Sequence, residues 1–596
     1  MSLRFTVREI ALCLALLPYF GVPIVSVIAW HSIDAEIPND DAGQFATTAA
    51  EMSRSLSDGG PLAFLKSLYL TRGTRPVSLP CFAAIFLSIA GNDLKIAASL
   101  TLCCFYILLQ FYSFQLLRLS TTITAAAIGS ATVTTLPWIV RGSEMFIADI
   151  PMVAMMVAAA YHAQRCRNWT SLPHSVALGV ALAVAISLRP IEPLPAACTL
   201  LAIMFAINFR SKRVGLLDLS LALHPAFVLL TLFLLRMFSI LQSPGLTDLL
   251  LCAAVAGYAL VVIRSGSPLN RCFAATVGTL VLGVGLWYLP FTKETWNWAW
   301  SCSFGDMSRL YSGISKLELI PAVSLLFKSL GGIQLALIGA LAGMALVASA
   351  CTRRFAFPGA LILGAGSIQV LLVAIANSTD MRRGYIGFYW AFLGLTIYAT
   401  APSFRWHGLR TAVLSVFTAV QLAVVCFSAV GPIPVALRMA SKAIRTAYPP
   451  PRTWPDKSSR TFDEVVKHVP PKCDIAAMTV AIYAHDKRVF DLSALGAVSS
   501  IRKSSRHFGC PCIFETAADG YRQLRDYHFV LLDTRPILSE IPEHRRREPY
   551  SMLSEDLALR YQQNRLAEVG LKEKSAFDID NVKVAILEWI SATASE

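Results

Sequence analysis

Charge is what this chain has least of. Asp, Glu, Lys and Arg make up 15% of its 596 residues against 55% hydrophobic ones, and a mean hydropathy of +0.56 excludes an ordinary soluble protein of this size. It lacks a CxxC pair. Most of its 14 cysteines lie in apolar stretches (Cys13, Cys103, Cys104, Cys198, Cys252), where a thiol behaves as a small hydrophobe, so nothing suggests a zinc site. It lacks a concentrated basic face as well: the net charge of +14 comes from short Lys and Arg clusters between apolar segments, which speaks for membrane topology and against nucleic acid. No half-to-half similarity of the kind found in many transporters is present. The first greasy segment, Ile10–Trp30, follows Arg4 and Arg8 but has no clear small-x-small cleavage site, and reads as a retained span.

What is there is a polytopic α-helical membrane protein. A spanning helix takes about 20 apolar residues, and on that rule spans fall near Ile10–Trp30, Leu94–Leu117, Thr121–Val140, Phe146–Tyr161, Leu172–Leu188, Pro193–Phe209, Leu216–Ser239, Thr247–Ile263, Cys272–Phe291, Leu319–Ala350, Phe355–Asn377, Tyr385–Ala401 and Leu409–Gly431. That makes about thirteen. Arg118, Arg165 with Arg167, Arg210 with Lys212 and Arg213, Arg264 with Arg271, Arg353 with Arg354, and Arg405 with Arg410 then share one side with Arg4 and Arg8. By the positive-inside rule that side is cytoplasmic. The parity requires that the short run Val77–Ala90 does not cross, as suits a re-entrant or interfacial segment. The loops His31–Pro76, Arg141–Ala148, Arg189–Glu192, Thr292–Lys316 and Ser378–Gly384 face outward, and they hold 11 of the 17 acidic residues of this half.

Residues 1–431 form the membrane domain and 432–455 a linker with Pro432, Pro434 and Pro449-Pro450-Pro451 as stiff elements. Residues 456–596 read as an extracytoplasmic α/β domain. Thr461-Phe-Asp-Glu464 is a capping-box pattern opening a helix; Asp474–Ala484, His528–Thr534 and Val582–Ile590 read as buried strands, and Glu555–Val569 as helical. This domain has no Gly-rich phosphate loop and no metal cluster, and reads as a packing or docking module. Of the cysteines, Cys473, Cys510 and Cys512 fall in it, where a disulfide is one option.

The chemistry-bearing residues sit in the outward loops. Asp40 and Asp41 follow the first span; they are either a solvated pair with Asn39-Asp40 capping a helix near Ala42, or a base on a water-accessible loop. Asp149 is either an N-cap ahead of Ile150-Pro151 or a residue that orients an acceptor, and with Asp41 it could hold a divalent cation. Arg72, Arg75, Arg382 and Arg383 either anchor to anionic headgroups or grip a lipid phosphate. Arg189, between two apolar runs, either pairs with Glu192 or binds phosphate. The Trp-rich loop Thr292–Tyr311 fits an interfacial aromatic belt or a sugar-stacking surface.

An aspartate motif soon after span one, Arg75 before Pro76 in "TRGTRPVSLP", "RGSEMFIADIPMVAMMVAA" (Arg141 to Ala159) and "STDMRRGYIGFYWAFLGL" (Ser378 to Leu395) together resemble the GT-C superfamily of integral membrane glycosyltransferases, in particular the protein O-mannosyltransferase and lipid A aminoarabinose transferase branch. The resemblance extends over most of residues 1–431. The chain departs from the pattern in having Ala42 and Gly43 after Asp41, and Gly384 between Arg383 and Tyr385. The resemblance implies a GT-C-like fold and an enzyme that moves a sugar from a polyprenyl-phosphate donor to an acceptor hydroxyl on a lipid, polysaccharide or protein, in the bacterial inner membrane and at its periplasmic face. It favours one of Asp40 and Asp41 as base, with Asp41 preferred. A secondary transporter or lipid flippase, or a non-catalytic polysaccharide-assembly protein, remains the alternative.

The topology has a direct check. In a cysteine-free background, a single cysteine at Asn39 is expected to react with a membrane-impermeant maleimide added from outside. Labelling from the cytoplasmic side alone would overturn the assignment of the loops.

Overall fold

The computed structural model describes residues 7–33, 40–71, 78–91, 93–166, 170–189, 192–210, 228–238, 244–264, 268–289, 292–293, 296–297, 337–343, 362–368, 370, 384–402, 406–430, 457–478, 490, 492–502, 504–509, 517–535 and 549–590. Its membrane half comprises α1 (Val7–Ile33), α2 (Asp40–Thr71), α3 (Ser78–Ile89), α4 (Leu94–Arg118), α5 (Ile123–Thr134), α6 (Pro137–Glu144), α7 (Asp149–Arg165), α8 (Leu172–Leu188), α9 (Pro193–Arg210), α10 (Pro244–Arg264), α11 (Pro268–Tyr288), α12 (Tyr385–Thr400) and α13 (His407–Val430). Four of the described helices are long and apolar enough to cross a membrane: Leu16–Ile33, Leu94–Arg118, Arg271–Tyr288 and His407–Val430. Shorter apolar helices include Ser78–Ile89, Ile123–Thr134 and Leu172–Leu188. The expected spans Leu319–Ala350 and Phe355–Asn377 lie largely outside the described residues.

Several elements differ from the expectation for reasons that Pro and Gly supply. The expected span Thr121–Val140 is two helices, α5 and α6, because Pro137 cannot donate into the preceding turn and opens a new helix instead. The run Val77–Ala90 forms α3, whose 12 residues rise about 18 Å, short of the roughly 30 Å of a hydrocarbon core. Helix α2 starts at Asp40, ahead of Ala42, and it is kinked: Gly60 has φ 69° and ψ −170° directly before Pro61. Proline removes a ladder donor there, and the backbone region Gly60 adopts is open essentially to glycine alone.

Helices pack where side chains are small. The α8–α11 contact sets Gly179 against Thr276 and Thr279, and Ala183 against Gly283, so closely that a Cβ on Gly179 would collide with the Thr279 side chain. That is how apolar helices gain packing energy when their surroundings are as apolar as they are. On helix α5 the face carrying Gly129 meets Thr396 of α12 in the same way. At the end of α12, Arg410 is buried and donates through Nη1 to Tyr398 O at 2.9 Å and Nη2 to Ala401 O at 3.2 Å, satisfying carbonyls left open by the helix end.

The C-terminal α/β domain is a five-stranded sheet in the order β2-β1-β3-β5-β4, with β1 Asp474–Met478, β2 His507–Gly509, β3 Phe529–Asp533, β4 Leu571–Ile579 and β5 Val582–Trp589. Strands β2, β1 and β3 are parallel, and β5 runs antiparallel to both β3 and β4. Helices α14 (Lys457–His468) and α15 (Leu492–Ile501) cover one face through Phe462, Val465, Leu495 and Val498. Helices α16 (Ala517–Leu524) and α17 (Pro549–Gln562) cover the other through Leu524, Leu553 and Leu557. Because both faces are buried, β1, β3 and β5 carry near-continuous apolar runs, which is why they were legible. Strands β2 and β4 are additions to the expected set. Thr461 lies inside α14 and not at its start, and the expected helix Glu555–Val569 ends as α17 at Gln562, followed by a 3-10 turn at Leu566–Val569. Cys473 is a buried free thiol; Cys510 and Cys512 lie outside the described residues.

Contacts within the chain define two compact units. One holds Met1–Ser32, Leu65–Leu79 and Ser99–Pro451, and the other Ile33–Phe64, Pro80–Ala98 and Arg452–Glu596. The break in α2 near Gly60 falls close to one of these boundaries. Gly60→Ala meets no atom within 4 Å, so any cost is conformational. It is expected to destabilise the protein by about 1–3 kcal/mol, read as a lower midpoint of thermal unfolding in detergent; an unchanged midpoint would show that the kink is not held.

Candidate functional site

Three helix ends meet at Arg189. Helix α8 stops there because Pro190 disfavours helical backbone at the residue before it, and Arg189 becomes its C-cap. Helix α9 begins at Pro193, directly after Glu192, and α7 begins at Asp149 with Pro151 in its first turn. Each charge has the sign its helix end favours: carboxylates at the positive ends of α7 and α9, a guanidinium at the negative end of α8.

The three side chains join. Arg189 Nη1 donates to Asp149 Oδ1 in a short contact, and Arg189 Nε lies 3.1 Å from Glu192 Oε2. Asp149 is 1% and Glu192 3% exposed, with Arg189 at 20%. Carboxylates so thoroughly removed from water persist only when paired. With all three ionised, the cluster carries a net charge of −1.

Hydroxyls from two more helix ends close the junction. Ser78 Oγ, at the first residue of α3, donates to Ser187 O at 2.7 Å, and Tyr288 OH, at the last residue of α11, donates to Ile186 O at 2.8 Å. Arg189 N itself donates to Ala185 O at 3.2 Å. The last carbonyls of α8 therefore have partners from three directions. Nearby in the same unit, His31 Nε2 at the end of α1 donates to Ser143 O of α6 at 3.1 Å. Trp138 of α6 stacks at a tilt on Tyr385, the first residue of α12, with ring centroids 4.6 Å apart. Every one of these helix ends is one that the charge pattern assigns to the outer side.

Of the residues singled out in the sequence, Asp149 and Arg189 are brought together, with Glu192 as the second carboxylate. Asp149 is the first helical residue of α7, not its N-cap; the cap is Ala148 and makes no side-chain bond. Asp40 and Asp41 open α2, and their side chains lie outside the described residues, as do Arg72, Arg75, Arg382 and Arg383 altogether. Sequence reasoning missed Ser78 and Tyr288. Their only signal is position, each within two residues of a proline, Pro76 and Pro290, at the edge of an outward loop. For a divalent cation on Asp41 and Asp149, the Asp41 side chain lies outside the described residues, and Asp149 meets Arg189 through Oδ1. Among the described residues no group of three or more His, Cys, Asp or Glu is placed to hold a metal.

No protein-family model and no curated protein matches the sequence. Solved structures with a similar outline include ArnT from Cupriavidus metallidurans bound to undecaprenyl phosphate, at 11% identity and a TM-score of 0.35, covering 99% of each chain. The oligosaccharyltransferase AglB from Archaeoglobus fulgidus, in complex with an inhibitory peptide and a dolichol-phosphate, is similar at 11% identity and a TM-score of 0.42 over 91% of this chain and 72% of that one. The Archaeoglobus fulgidus oligosaccharyltransferase in complex with Zn and sulfate has a TM-score of 0.43 at 11% identity, over 87% and 68% of the two chains. At these identities and TM-scores the likeness assigns no role to any residue.

Proposed function

We propose that the protein is a membrane glycosyltransferase that moves a sugar from a polyprenyl-phosphate donor to an acceptor hydroxyl at the outer, periplasmic face of a bacterial inner membrane. The observation that carries this reading is the buried Asp149–Arg189–Glu192 cluster at the joined ends of α7, α8 and α9. Ionisable groups held at such a place in an apolar helical body mark a substrate pathway more often than a packing device. The donor is of the lipid-phosphate class found in the similar structures, undecaprenyl phosphate in ArnT and a dolichol-phosphate in AglB.

In the reaction the acceptor oxygen attacks the anomeric carbon and its proton passes to a carboxylate, Asp41 or Asp40, acting as general base. The bond from that carbon to the phosphate oxygen breaks, and its electron pair leaves with the polyprenyl phosphate. Cations must meet the developing charge. Arg189 already serves two carboxylates, so a phosphate would have to compete with both, and the task falls mainly on Arg72, Arg75, Arg382 and Arg383. Three peptide units separate Arg75 from Ser78, a span of at most about 11 Å, and Ser78 is bonded to the same helix end as the cluster. Asp149, paired with Arg189, is suited to orient the acceptor hydroxyl.

Asp40→Asn/Asp41→Asn is expected to lower turnover about 10²–10⁴-fold, the contribution of a general base, measured by mass spectrometry on purified protein with a panel of polyprenyl-phosphate sugars and extracted membrane acceptors. No consumption of any donor by folded wild type with the full acceptor pool would sink the transferase reading. Arg189→Met strands two buried carboxylates and is expected to cost about 3–5 kcal/mol of stability. Adding Asp149→Asn and Glu192→Gln to it is expected to restore most of the stability and none of the turnover; full turnover in that triple variant would make the cluster a packing device only.

A further inference from the structure

Helices α7 and α8 are joined at their other ends by a second pair of side chains, of which the transferase reading makes no use. His162 lies in the last turn of α7 and His174 in the first turn of α8, about 20 Å along the helices from Asp149 and Arg189. The positive-inside rule puts these ends at the cytoplasmic face. His162 Nδ1 lies 2.9 Å from His174 Nδ1, and His162 Nε2 lies 3.3 Å from the hydroxyl of Tyr112 on α4. The two imidazole centroids are 5.2 Å apart with the rings tilted by 39°. Tyr161 packs its ring against both, 5.2 Å from that of His162 and 6.1 Å from that of His174.

Nitrogens this close share a hydrogen: one imidazole donates through its Nδ1–H and the other accepts on its Nδ1 lone pair. Two neutral rings meet that condition. So does a pair that has gained one proton, because that proton goes to an outer Nε2. A pair that has gained two carries an N–H on all four nitrogens, has no acceptor left, and sets two positive charges at hydrogen-bond distance. The surroundings add to the repulsion. Besides Tyr112 and Tyr161, the charged neighbour is Arg165, whose like charge bears on His174, while Arg118 closes α4 and Arg271 stands near the start of α11. Across α4, α7, α8, α9, α11 and α12 the one carboxylate is Asp149, at the far end of α7.

We propose that His162 and His174 form a proton-sensitive latch that holds the cytoplasmic ends of α7 and α8 together at neutral pH and releases them in acid. The sign follows from counting protons. A separated imidazole takes up a proton at about pH 6.5, so the open pair gains two where the closed pair has room for one. Opening therefore becomes more favourable by about tenfold or more for each pH unit below that value. These are the helices whose outer ends carry Asp149 and Arg189, so the latch and the ion pair hold the same two helices at opposite ends. The latch concerns contacts within the chain and stands independently of the transferase reading.

Cys166 reports on the opening: it is fully buried at the C-cap of α7, beside Ser175 of α8. Full-length protein in lipid nanodiscs is treated with a pyridyl disulfide, which modifies thiols in acid as well as at neutral pH, and the rate at Cys166 is read by peptide mass spectrometry relative to the unfolded chain. Buried Cys103 of α4 and Cys473 of the C-terminal domain measure any wider unfolding. In wild type, Cys166 is expected to react about tenfold faster at pH 5 than at pH 6, with Cys103 and Cys473 unchanged. The double variant His162→Leu/His174→Leu has no proton to gain, and His174→Asn keeps a hydrogen-bond partner for His162 without a titrating ring; in each, Cys166 is expected to react at one rate at both pH values. Equal rates at pH 5 and pH 6 in wild type overturn the proposal. So does a rise shared by Cys103 and Cys473, or one that persists in the variants.

Discussion

A charge that has left water must find its opposite, and the membrane half of this protein is organised around one case of that rule. Arg189 holds Asp149 on one side and Glu192 on the other, and none of the three could be buried in that place alone. The pairing fixes where α7, α8 and α9 end relative to one another, since a shift of one helix by a single turn, about 5.4 Å, would break a contact. The hydroxyls of Ser78 and Tyr288 then secure the last carbonyls of α8, so that the end of α11 takes its position from the same junction. Close packing of Gly179 and Ala183 against α11 extends the constraint down the helix.

What could be seen in the sequence and what could not divides along physical lines. The polytopic class was visible in hydropathy, and β1, β3 and β5 in their unbroken apolar runs, because burial on both faces leaves no alternation to misread. Strand β4, "LKEKSAFDI", was hidden by its charges: it is the sheet edge, where lysines discourage pairing with another chain. The turn after it was the available signal. Asp580 and Asn581 both take positive φ, 50° and 62°, as a two-residue hairpin requires, and Asp and Asn are the residues after glycine that tolerate it best. The break between α5 and α6 was likewise written in Pro137, but hydropathy runs smoothly across it.

The site shows the same division. Arg189 and Glu192 lie three residues apart and could be paired on sight, whereas Asp149 joins them from 40 residues away, a distance no local pattern reports. Ser78 and Tyr288 are harder still. They bond backbone carbonyls, which every residue has, so nothing in the partner's identity announces the contact. The Lys and Arg flanks group Asp149, Arg189 and the neighbouring loops on one side of the membrane, and Asp149, Arg189 and Glu192 do meet in the structure.

The separation between Asp149 and Arg189 also has a consequence for biogenesis. Synthesis runs from the N-terminus, so Asp149 emerges while its partner is still 40 residues from being made. A carboxylate in an apolar setting is costly without its partner, so the burial of Asp149 in this cluster depends on a residue made 40 positions later.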